Sequence, residues 1–416
     1  MTFLEELEYR GLLKDCTDMA GLRERIKEPM TVYCGFDPTA DSLHVGHLQQ
    51  ILLLRRWEKE GHRPIAVCGG ATGMIGDPRP TTERKLLTLE DVRHNVTCIK
   101  EQLSRFLDFE SENGAILVNN YDWLGSLNLL DFLRDYGKHF NVNYMISKDT
   151  IASRLDSGIS FTEFTYTILQ AADWLHLYQT YNCVGQIGGS DQWGNLTSGT
   201  ELIRKVEGSD AKVFGLTSPL ITKSDGTKFG KSEGANVWLD PARTSPYEFY
   251  QFFINTSDDD VINFLKRLTF LTPEEIEELA VSVQNEPHKR EAQKALARET
   301  TRLVHGEKGL EEAMLITETL FSGDFSKLTI EQLRSALSGA PKVKCDDGLL
   351  LIDVLVNNKI CSSKREAREM IQGNSIAVNG VKNTNLEATI SKSEAYGNEI
   401  TVIKKGKKNY YLVEFN

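Results

Sequence analysis

Short apolar stretches that alternate with helix-forming segments constrain the fold of the first half of this chain. Four stretches have the apolar, turn-bounded character of buried strands: 30–36, 64–70, 114–124 (a strand followed by a loop) and 183–189. Residues 43–62, between the first two, predict a helix that ends at Gly61. Strands that alternate with helices require right-handed crossovers, so the pattern predicts an α/β fold with a parallel sheet and a ligand site at the carboxyl ends of its strands.

Segments after residue 240 have a helical pattern. "SPYEF" at 245–249 and "TPEEIEEL" at 272–279 each place Pro directly after Ser or Thr, and Glu three residues after that cap. Both are capping boxes with Pro at the first helical position. We therefore predict helices from 245 to about 320, followed by a linker over 321–348, where Ser, Gly, Lys and Asp become more frequent.

The remaining C-terminal residues predict a small α+β domain. A short helix is expected with Ser362 or Ser363 as its cap and Gly373 at its end, and Asn379-Gly380 between two alternating runs predicts a two-residue hairpin. From residue 349 onward the chain carries ten Lys and Arg against seven Asp and Glu, whereas the rest carries 38 against 52. A mildly basic segment in a chain of net charge −11 indicates a polyanion-binding surface.

The composition indicates a soluble protein of a reducing compartment. Seven cysteines, odd in number and without any C-x-x-C spacing, argue for reduced thiols. No apolar run reaches the length of a membrane span, and the charged stretch "MTFLEELEYRGLLKD" lacks a secretory pattern. We therefore expect a cytoplasmic location and no membrane partner.

The stretch "DPTADSLHVGHLQQ" places two histidines three residues apart at the start of the first predicted helix. Asp41 and Ser42 are both good N-caps, so we expect the helix to begin there, with His44 and His47 on one face of its first turns. The positive end of the helix favours phosphate and neutral histidines that donate hydrogen bonds, and Gly46 lets a ligand approach the backbone. Half of a zinc site and two ordinary surface histidines are the alternatives from this stretch alone.

The stretch "ITKSDGTKFGKSEGANVWLD" interleaves glycines with Lys223, Lys228 and Lys231. It is similar to a Walker A loop, but Asp225 stands where that motif needs glycine, and no helix-forming run follows. Glycines spaced by four residues predict a mobile cationic loop that closes over a triphosphate and stabilises developing charge. A solvated basic turn is the alternative.

The stretch "SFTEFTYTILQAADWLHLY" opens with a capping box from Ser160 to Glu163. After Glu163 it holds one carboxylate and no Lys or Arg, so it predicts a helix that is buried all round. Tyr166, Gln170 and Asp173 are spaced by four and three residues, which places them on one stripe. Because buried polar side chains need partners, this stripe is either the wall of a pocket for a polar ligand or an internal hydrogen-bond network or subunit contact.

Taken together, these motifs resemble those of a known family. "HVGH" and "KFGKS" resemble the HIGH and KMSKS signatures of the class I aminoacyl-tRNA synthetases. Nearly the whole chain resembles the bacterial tyrosyl-tRNA synthetases, through "YCGFDPTADSLHVGH", "GGATGMIGDP", "NNYDW", "FTYTILQAAD", "QIGGSDQWGN" and "KFGKS". The resemblance implies that ATP and tyrosine form tyrosyl-adenylate and pyrophosphate, and that tRNA(Tyr) then accepts the tyrosyl group at its 3′ end. Since the carboxylate of tyrosine attacks the α-phosphate, the protein supplies positioning and charge stabilisation.

The resemblance also assigns roles to individual residues. Tyr33 and Asp173 would hold the phenolic hydroxyl of tyrosine, and phenylalanine would leave both unpaired, a discrimination for which this family is itself the standard example. The other implied contacts are to the amino group (Asp77, Tyr166, Gln170), the carboxyl group (Gln192), the adenosine (Cys34, Gly35, Asp37, Gly189, Asp191), the phosphates (Thr39, His44, Gly46, His47, Lys228, Lys231) and, in a second rank, Asn120 and Gln186. In the C-terminal helix, Lys364, Arg365 and Arg368 resemble the tRNA-binding flank of an S-four-type module.

The implied architecture has five parts: a Rossmann-like catalytic domain (1–222), a mobile KMSKS-type loop (223–244), an α-helical anticodon-side domain (245–320), the linker (321–348) and a small α+β, S-four-type RNA-binding domain (349–416). Mg²⁺ would accompany ATP, held by the phosphates and by no protein metal site. A homodimer is implied, with Phe161 near the subunit contact. Family members place a lysine soon after "GDP"; here Arg79 and Arg84 are the alternatives for its role.

Two rival functions fit part of this pattern. A related class I enzyme for tryptophan would share the nucleotide motifs, but it would not need Asp173 opposite Tyr33. A non-catalytic RNA-binding protein of synthetase shape would need neither the two histidines nor the lysines of the loop. Pyrophosphate exchange driven by tyrosine, phenylalanine or tryptophan separates these functions.

Overall fold

The structure, a computed structural model, describes residues 1–78, 86–227, 229–232, 234–406 and 409–416, with the side chains of Asp149 and Phe321 left out. Its strands are β1 (Asp15–Cys16), β2 (Thr31–Phe36), β3 (Arg63–Cys68), β4 (Ile116–Asn119), β5 (Cys183–Gly189), β6 (Phe214–Ser218), β7 (Lys231–Ser232), β8 (Ala235–Asn236), β9 (Lys342–Cys345), β10 (Leu349–Leu350), β11 (Ile376–Val378), β12 (Val381–Lys382), β13 (Thr389–Ile390), β14 (Ile400–Lys405) and β15 (Asn409–Phe415).

The α-helices follow the same chain order. They are α1 (Phe3–Tyr9), α2 (Met19–Arg25), α3 (Val45–Lys59), α4 (Thr72–Ile75), α5 (Leu89–Leu103), α6 (Tyr121–Leu124), α7 (Leu129–Asp131), α8 (Val142–Ile146), α9 (Asp149–Ala152), α10 (Phe161–Tyr181), α11 (Trp193–Glu207), α12 (Pro246–Ile254), α13 (Asp258–Leu268), α14 (Pro273–Asn285), α15 (Glu291–Ser322), α16 (Ile330–Ala336), α17 (Leu351–Asn357) and α18 (Lys364–Gln372). The chain divides into two compact units, one of Met1–Thr244 with Phe252–Val304, the other of Ser245–Gln251 with His305–Asn416.

A six-stranded sheet organises the first unit. Its order is β1-β6-β5-β2-β3-β4, and all neighbours are parallel except the edge strand β1, which runs antiparallel to β6. The predicted α/β fold with a parallel sheet is therefore confirmed, and the four predicted strands are β2, β3, β4 and β5. The stretch expected as a loop after β4 instead contains the short helix α6.

The strand order determines where this sheet binds a ligand. β2 has β3 on one side and β5 on the other, so the chain crosses over in opposite directions from this point. Such a reversal opens a crevice at the carboxyl ends of the two adjacent strands. In this unit those ends are the residues that follow β2 and β5.

The long helix α10 is buried as its sequence predicts. Every residue from Glu163 to Tyr178 is buried or half-buried. The Ser160 hydroxyl caps the helix by accepting a hydrogen bond from the Glu163 amide at 3.2 Å. The Glu163 carboxylate lies 3.1 Å from Arg154 Nη1, so a buried ion pair accompanies the cap.

The predicted helices between 245 and 320 are α12 to α15. Thr272 and Glu275 form the predicted capping box on α14, with Pro273 in its first turn, and Ser245 and Glu248 exchange the same reciprocal hydrogen bonds at α12. This segment does not form a compact unit of its own, because the division between the two units passes through it. Near that division α15 is interrupted at Gly306, whose φ of 71° lies outside the helical range.

In the second unit, the expectation of a linker over 321–348 is wrong. The interval contains α16 and β9, and β9 pairs in parallel with β15. Buried side chains from it complete a core with the sheet: Phe325, Leu333 and Leu337 pack with Ile400, Val402 and Leu412. The Ser- and Gly-rich composition concealed these few apolar positions, which suffice because each is almost fully buried.

The rest of the second unit agrees with its sequence signals. Its main sheet has the order β12-β11-β14-β15-β9, and β11 and β12 are joined by the predicted hairpin at Asn379-Gly380. Both turn residues have positive φ, 48° and 83°, as a two-residue turn of this kind requires. Helix α18 has Ser363 as its N-cap and Gly373 at its C-terminal end.

In the described part of the chain, no α-helix combines the length and the apolar character that crossing a membrane requires.

Candidate active site

A cavity of about 290 Å³ lies in the first unit at the carboxyl ends of β2 and β5. This volume is close to the lower end of the range for small-molecule sites. Most of the residues predicted from the sequence line it: Tyr33, Cys34, Gly35, Asp37, Thr39, Gly46, His47, Asp77, Asn120, Tyr166, Gln170, Asp173, Gln186, Gly189, Asp191 and Gln192. The structure thus brings both the polar stripe of α10 and the start of α3 to one cavity.

Tyr33 and Asp173 form a polar pair at one end of this cavity. The Tyr33 hydroxyl is buried and has no hydrogen-bond partner among the described residues. Asp173 accepts hydrogen bonds from Asn120 Nδ2 at 2.9 Å and Trp123 Nε1 at 2.8 Å. Burial raises the pKa of Asp173 to about 7. An unpaired hydroxyl beside an oriented carboxyl group is a site for a ligand that both donates and accepts a hydrogen bond.

A second carboxylate, Asp37, anchors a hydrogen-bond network behind this pair. Its two oxygens accept hydrogen bonds from Tyr166 Oη at 2.8 Å and Thr72 Oγ1 at 2.7 Å. Thr72 in turn accepts one from Asn120 Nδ2 at 2.9 Å, which connects Asp37 to Asp173. The stripe on α10 is therefore both a pocket wall and part of an internal network, so the two alternatives from the sequence coexist.

Asp77 is the third carboxylate at this end. It accepts hydrogen bonds from Gln192 Nε2 at 2.7 Å and Asn195 Nδ2 at 3.2 Å. Burial raises the pKa of Asp77 to about 6, and nearby Asp37 adds to the shift. Three acidic side chains around one small volume favour a cationic group between them.

The two histidines cap their own helix. The expected start of α3 at Asp41 or Ser42 is wrong, because the N-cap is His44. His44 Nδ1 accepts a hydrogen bond from the Gly46 amide at 3.0 Å, and His47 Nδ1 accepts one from the His44 amide at 3.2 Å. A ring nitrogen that accepts is unprotonated, so in the neutral tautomer the proton of each ring is on Nε2.

The electrostatics of the site keep these imidazoles neutral. Burial lowers the pKa of His47 to about 3, with His44 adding to the shift. Burial and the charge of Lys231 also lower the pKa of His44. This environment agrees with the expected neutral state of both histidines, while their donation of hydrogen bonds to a phosphate stays a prediction.

The lysine loop meets α3 at its first residues. Lys231 lies in β7, which forms a small hairpin with β8. The Val45 amide donates a hydrogen bond to the Val237 carbonyl at 2.9 Å, and a Cβ added at Gly230 would lie 3.1 Å from Val45 Cγ2. Lys228, Arg79 and Arg84 lie outside the described residues.

Sequence reasoning missed several residues of the cavity and its network. Gln49 and Gln50 line it, and each donates its amide group to Ser218 Oγ while its buried oxygen has no partner among the described residues. Trp123 and Thr72 were also missed, although both stand inside the motifs "NNYDW" and "GGATGMIGDP". Cys34, which was predicted, also lines the cavity from β2, and burial raises the pKa of its thiol to about 12.

The three predicted RNA-binding residues lie on α18 in the second unit. Lys364 pairs with Asp353 at 2.7 Å and Arg365 with Glu369 at 2.9 Å, and both basic side chains are largely exposed. Arg368 is exposed as well. The helix therefore presents cations to solvent, two of them already in exchangeable surface ion pairs.

Comparison with known proteins covers the whole chain. The family described as "tRNA synthetases class I (W and Y)" matches residues 24–322, and the one described as "Tyrosine--tRNA ligase SYY-like C-terminal domain" matches residues 332–413. Tyrosine--tRNA ligase 1 of Bacillus licheniformis is 54% identical over 99% of both chains, and that of Bacillus subtilis is 53% identical over the same share. The crystal structure of a C-terminally truncated mitochondrial tyrosyl-tRNA synthetase from Aspergillus nidulans superposes with a TM-score of 0.67 at 31% identity, covering 77% of this chain and 94% of that one.

Proposed function

The chain belongs to the class I tyrosyl-tRNA synthetases, and on this premise we propose how its residues divide the work of a tyrosine–tRNA ligase. The enzyme joins tyrosine to ATP, forming tyrosyl-adenylate and pyrophosphate, and then transfers the tyrosyl group to the 3′ end of tRNA. One observation carries the assignment: the unpaired Tyr33 hydroxyl and the Asp173 carboxyl group share a cavity with the His47 turn.

The tyrosine side chain occupies the Tyr33 end of the cavity. Its phenolic hydroxyl donates to Asp173 and accepts from the otherwise unpaired Tyr33 hydroxyl. Phenylalanine would leave the buried Tyr33 hydroxyl unpaired, a penalty of about 1–3 kcal/mol, and it would bring no donor to Asp173, which would keep only its hydrogen bonds from Asn120 and Trp123. Asn120 and Trp123 hold the Asp173 carboxylate in the orientation that accepts this hydrogen bond.

The ammonium group of tyrosine lies among Asp77, Tyr166 and Gln170, where the acidic environment attracts a cation. When it binds, its charge favours ionised Asp77, whose pKa is raised in the ligand-free site. Gln192, which donates to Asp77, faces the carboxyl group of the substrate. This arrangement directs the tyrosine carboxylate toward the start of α3.

The triphosphate of ATP rests at that helix start. The positive end of the α3 dipole, Thr39 and the Nε2–H groups of His44 and His47 stabilise negative charge as the α-phosphate is attacked. Lys231, together with Lys228, adds positive charge from the loop. Cys34, Gly35, Asp37, Gly189 and Asp191 line the adenosine side.

Mg²⁺ enters as a part of the ATP substrate. Within the described ranges no group of three or more His, Cys, Asp or Glu side chains is arranged to hold a metal ion, and Asp37 and Asp77 already accept hydrogen bonds. The donor set therefore favours an ion that is carried by phosphate oxygens, with no fixed protein cage.

The partners follow from the family and from two surfaces. The basic flank of α18 contacts tRNA phosphates, which position the RNA without reading its sequence. Exposed apolar side chains favour a homodimer; they include Phe161, 75% exposed, and Leu129, Leu130, Val142 and Tyr144.

All seven cysteines are unbridged, which is consistent with a cytoplasmic protein.

Pyrophosphate exchange tests the function. The protein is incubated with ATP and labelled pyrophosphate together with tyrosine, phenylalanine or tryptophan in parallel. We expect exchange with tyrosine alone at low substrate concentration. Exchange that prefers tryptophan would indicate the related enzyme, and absence of exchange with all three would indicate a non-catalytic RNA-binding protein.

A further inference from the structure

Two side chains outside the cavity form a stack that ends on His44, the neighbour of the lining residue His47. The Trp238 ring meets the His44 ring edge to face, with centroids 6.0 Å apart and planes at 69°. On the Trp238 ring lies the Arg243 guanidinium, 4.3 Å from the centroid, and this group also pairs with Asp41 at 3.1 Å. None of the steps proposed above uses Trp238 or Arg243.

The backbone at Trp238 is tied to the same short segment. Residues 43–45 and 237–239 form an antiparallel bridge, in which the Val45 amide donates to the Val237 carbonyl and the Leu239 amide to the Leu43 carbonyl, each at 2.9 Å. The Trp238 amide donates to Thr244 Oγ1 at 3.0 Å. The backbone of Trp238 is therefore fixed by contacts that do not involve the His44 side chain.

The bridge also closes the root of the lysine loop. The Val237 amide donates to the Gly230 carbonyl at 3.0 Å, so the two ends of the hairpin that carries Lys231 are held together. The segment that positions Trp238 thus begins where the lysine hairpin ends. Residues 237–239 therefore contact both the histidine turn and the base of the hairpin that carries Lys231.

The geometry of His44 explains why it needs such a support. Its Nδ1 is occupied by the Gly46 amide, so the direction of Nε2 depends on how the ring is held about that single hydrogen bond. His47 stacks against one side of the ring, with centroids 4.0 Å apart. The Trp238 ring supplies a further contact, which restricts the His44 ring to one orientation.

We propose that Trp238 is a positioning residue for adenylate formation, which keeps the His44 ring in one orientation and fixes the start of the hairpin that carries Lys231. Arg243, anchored on Asp41, in turn holds Trp238. The proposal rests on the proposed role of His44 toward the ATP phosphates. Trp238 touches no substrate in this account. Its contribution is the fixed direction of a neutral donor, which matters because small misplacements of such groups cost large factors in rate.

The test uses substitutions that separate the aromatic ring from apolar bulk. Trp238→Phe keeps an aromatic ring, whereas Trp238→Leu keeps an apolar side chain without one. We expect Trp238→Leu to lower kcat for tyrosine-dependent exchange about tenfold with a change in the tyrosine KM below about twofold. Trp238→Phe should recover most of that loss, and Arg243→Ala should cost about threefold, with thermal midpoints measured for each variant.

A double-mutant cycle with His44→Ala decides the proposal. If Trp238 acts through His44, Trp238→Leu will cost about tenfold beside His44 but less than about twofold in the His44→Ala background. Equal losses in both backgrounds, or a loss that falls on the tyrosine KM, would overturn the inference. A His44→Ala variant with nearly unchanged kcat would instead contradict the proposed phosphate role of the histidine itself.

Discussion

Burial shifts pKa values in opposite directions at the two ends of the cavity, and at both ends it favours the uncharged form of the side chain. At the tyrosine end burial raises the pKa of Asp173 to about 7 and that of Asp77 to about 6. At the phosphate end burial lowers the pKa of His47 to about 3. One end therefore gains negative charge when a cationic ammonium group binds, while the other keeps uncharged donors for an anion. In the proposed function this difference in charge orients the substrates, because the amino group of tyrosine and the triphosphate of ATP each suit only one end.

The two ends also differ in construction. Tyr33 stands on a central strand and Asp173 on a buried helix, and Asn120 and Trp123 donate hydrogen bonds to the Asp173 carboxyl group. The phosphate end combines the first turn of α3 with a short hairpin whose strand residues are largely exposed. We expect damage at the rigid end to change substrate selection and damage at the other end to change the rate.

The largest effect is expected at the phosphate end. His47→Ala removes a donor that we place against the transition state, so kcat for adenylate formation should fall by about 100–1,000-fold with little change in the tyrosine KM. His47→Asn, whose amide can donate, is the control and should retain more activity. A raised tyrosine KM with unchanged kcat would place this imidazole at the wrong end of the cavity.

Selectivity is expected to fail at the other end. Asp173→Ala should reduce kcat/KM for tyrosine about 100-fold, or about 2.7 kcal/mol, since a hydrogen bond to a charged acceptor is lost. Phenylalanine activation and the KM for ATP should change far less. Steady-state exchange with both amino acids measures this ratio; parallel losses for tyrosine and ATP would mean that the tyrosine pocket has been located incorrectly.

Charge reversal on the second unit should leave both ends intact. Replacing Lys364, Arg365 and Arg368 together by Glu is expected to lower tRNA charging about tenfold or more, because several phosphate contacts become repulsive. Pyrophosphate exchange should stay at the wild-type rate. Substitution is preferable to truncation at residue 349, since β9 and Phe325 belong to the same folded core. Normal charging by this variant would contradict the assigned RNA surface.

The smallest effect is expected in the pH dependence of stability. The folded pKa of Asp173 is raised to about 7 from its ordinary value of 3.8, so the folded state binds this proton more tightly than the unfolded chain. The resulting stabilisation is complete below the ordinary pKa and is lost as the pH rises toward 7. Above pH 7 the folded protein bears the cost of burying an ionised carboxylate, and Asp173→Asn removes that cost. The thermal midpoint of the ligand-free protein should therefore rise on substitution more at pH 8 than at pH 5. A larger gain at pH 5 would contradict the raised pKa.

Tyr33, Asp173 and His47 show what local patterns can predict about this site. The polar stripe with Asp173 and the paired histidines were recognisable from spacing, whereas Tyr33 was assigned to the site only through the family resemblance. The sheet order then brings Tyr33, Asp173 and His47 to one crevice. The helix cap was mispredicted because histidine seldom acts as an N-cap, and two rings that cap each other leave no signal beyond their spacing.

Contacts between residues distant in sequence were beyond prediction. Trp123 and Trp238 look like ordinary apolar positions until the fold sets one on Asp173 and the other on His44. The prediction of a linker was wrong for the same reason, because Phe325 and Leu333 are buried by packing against strands some 70 residues later in the chain. Composition describes a segment, whereas burial depends on what packs against it.

A crystal structure of the protein with a non-hydrolysable tyrosyl-adenylate analogue tests the central claim most directly. We predict the phenolic oxygen within hydrogen-bond distance of both Tyr33 Oη and an Asp173 oxygen, and the phosphate oxygens beside the Nε2 atoms of His44 and His47. An analogue bound with its phenol away from Asp173, or with its phosphate remote from both imidazoles, would contradict the account.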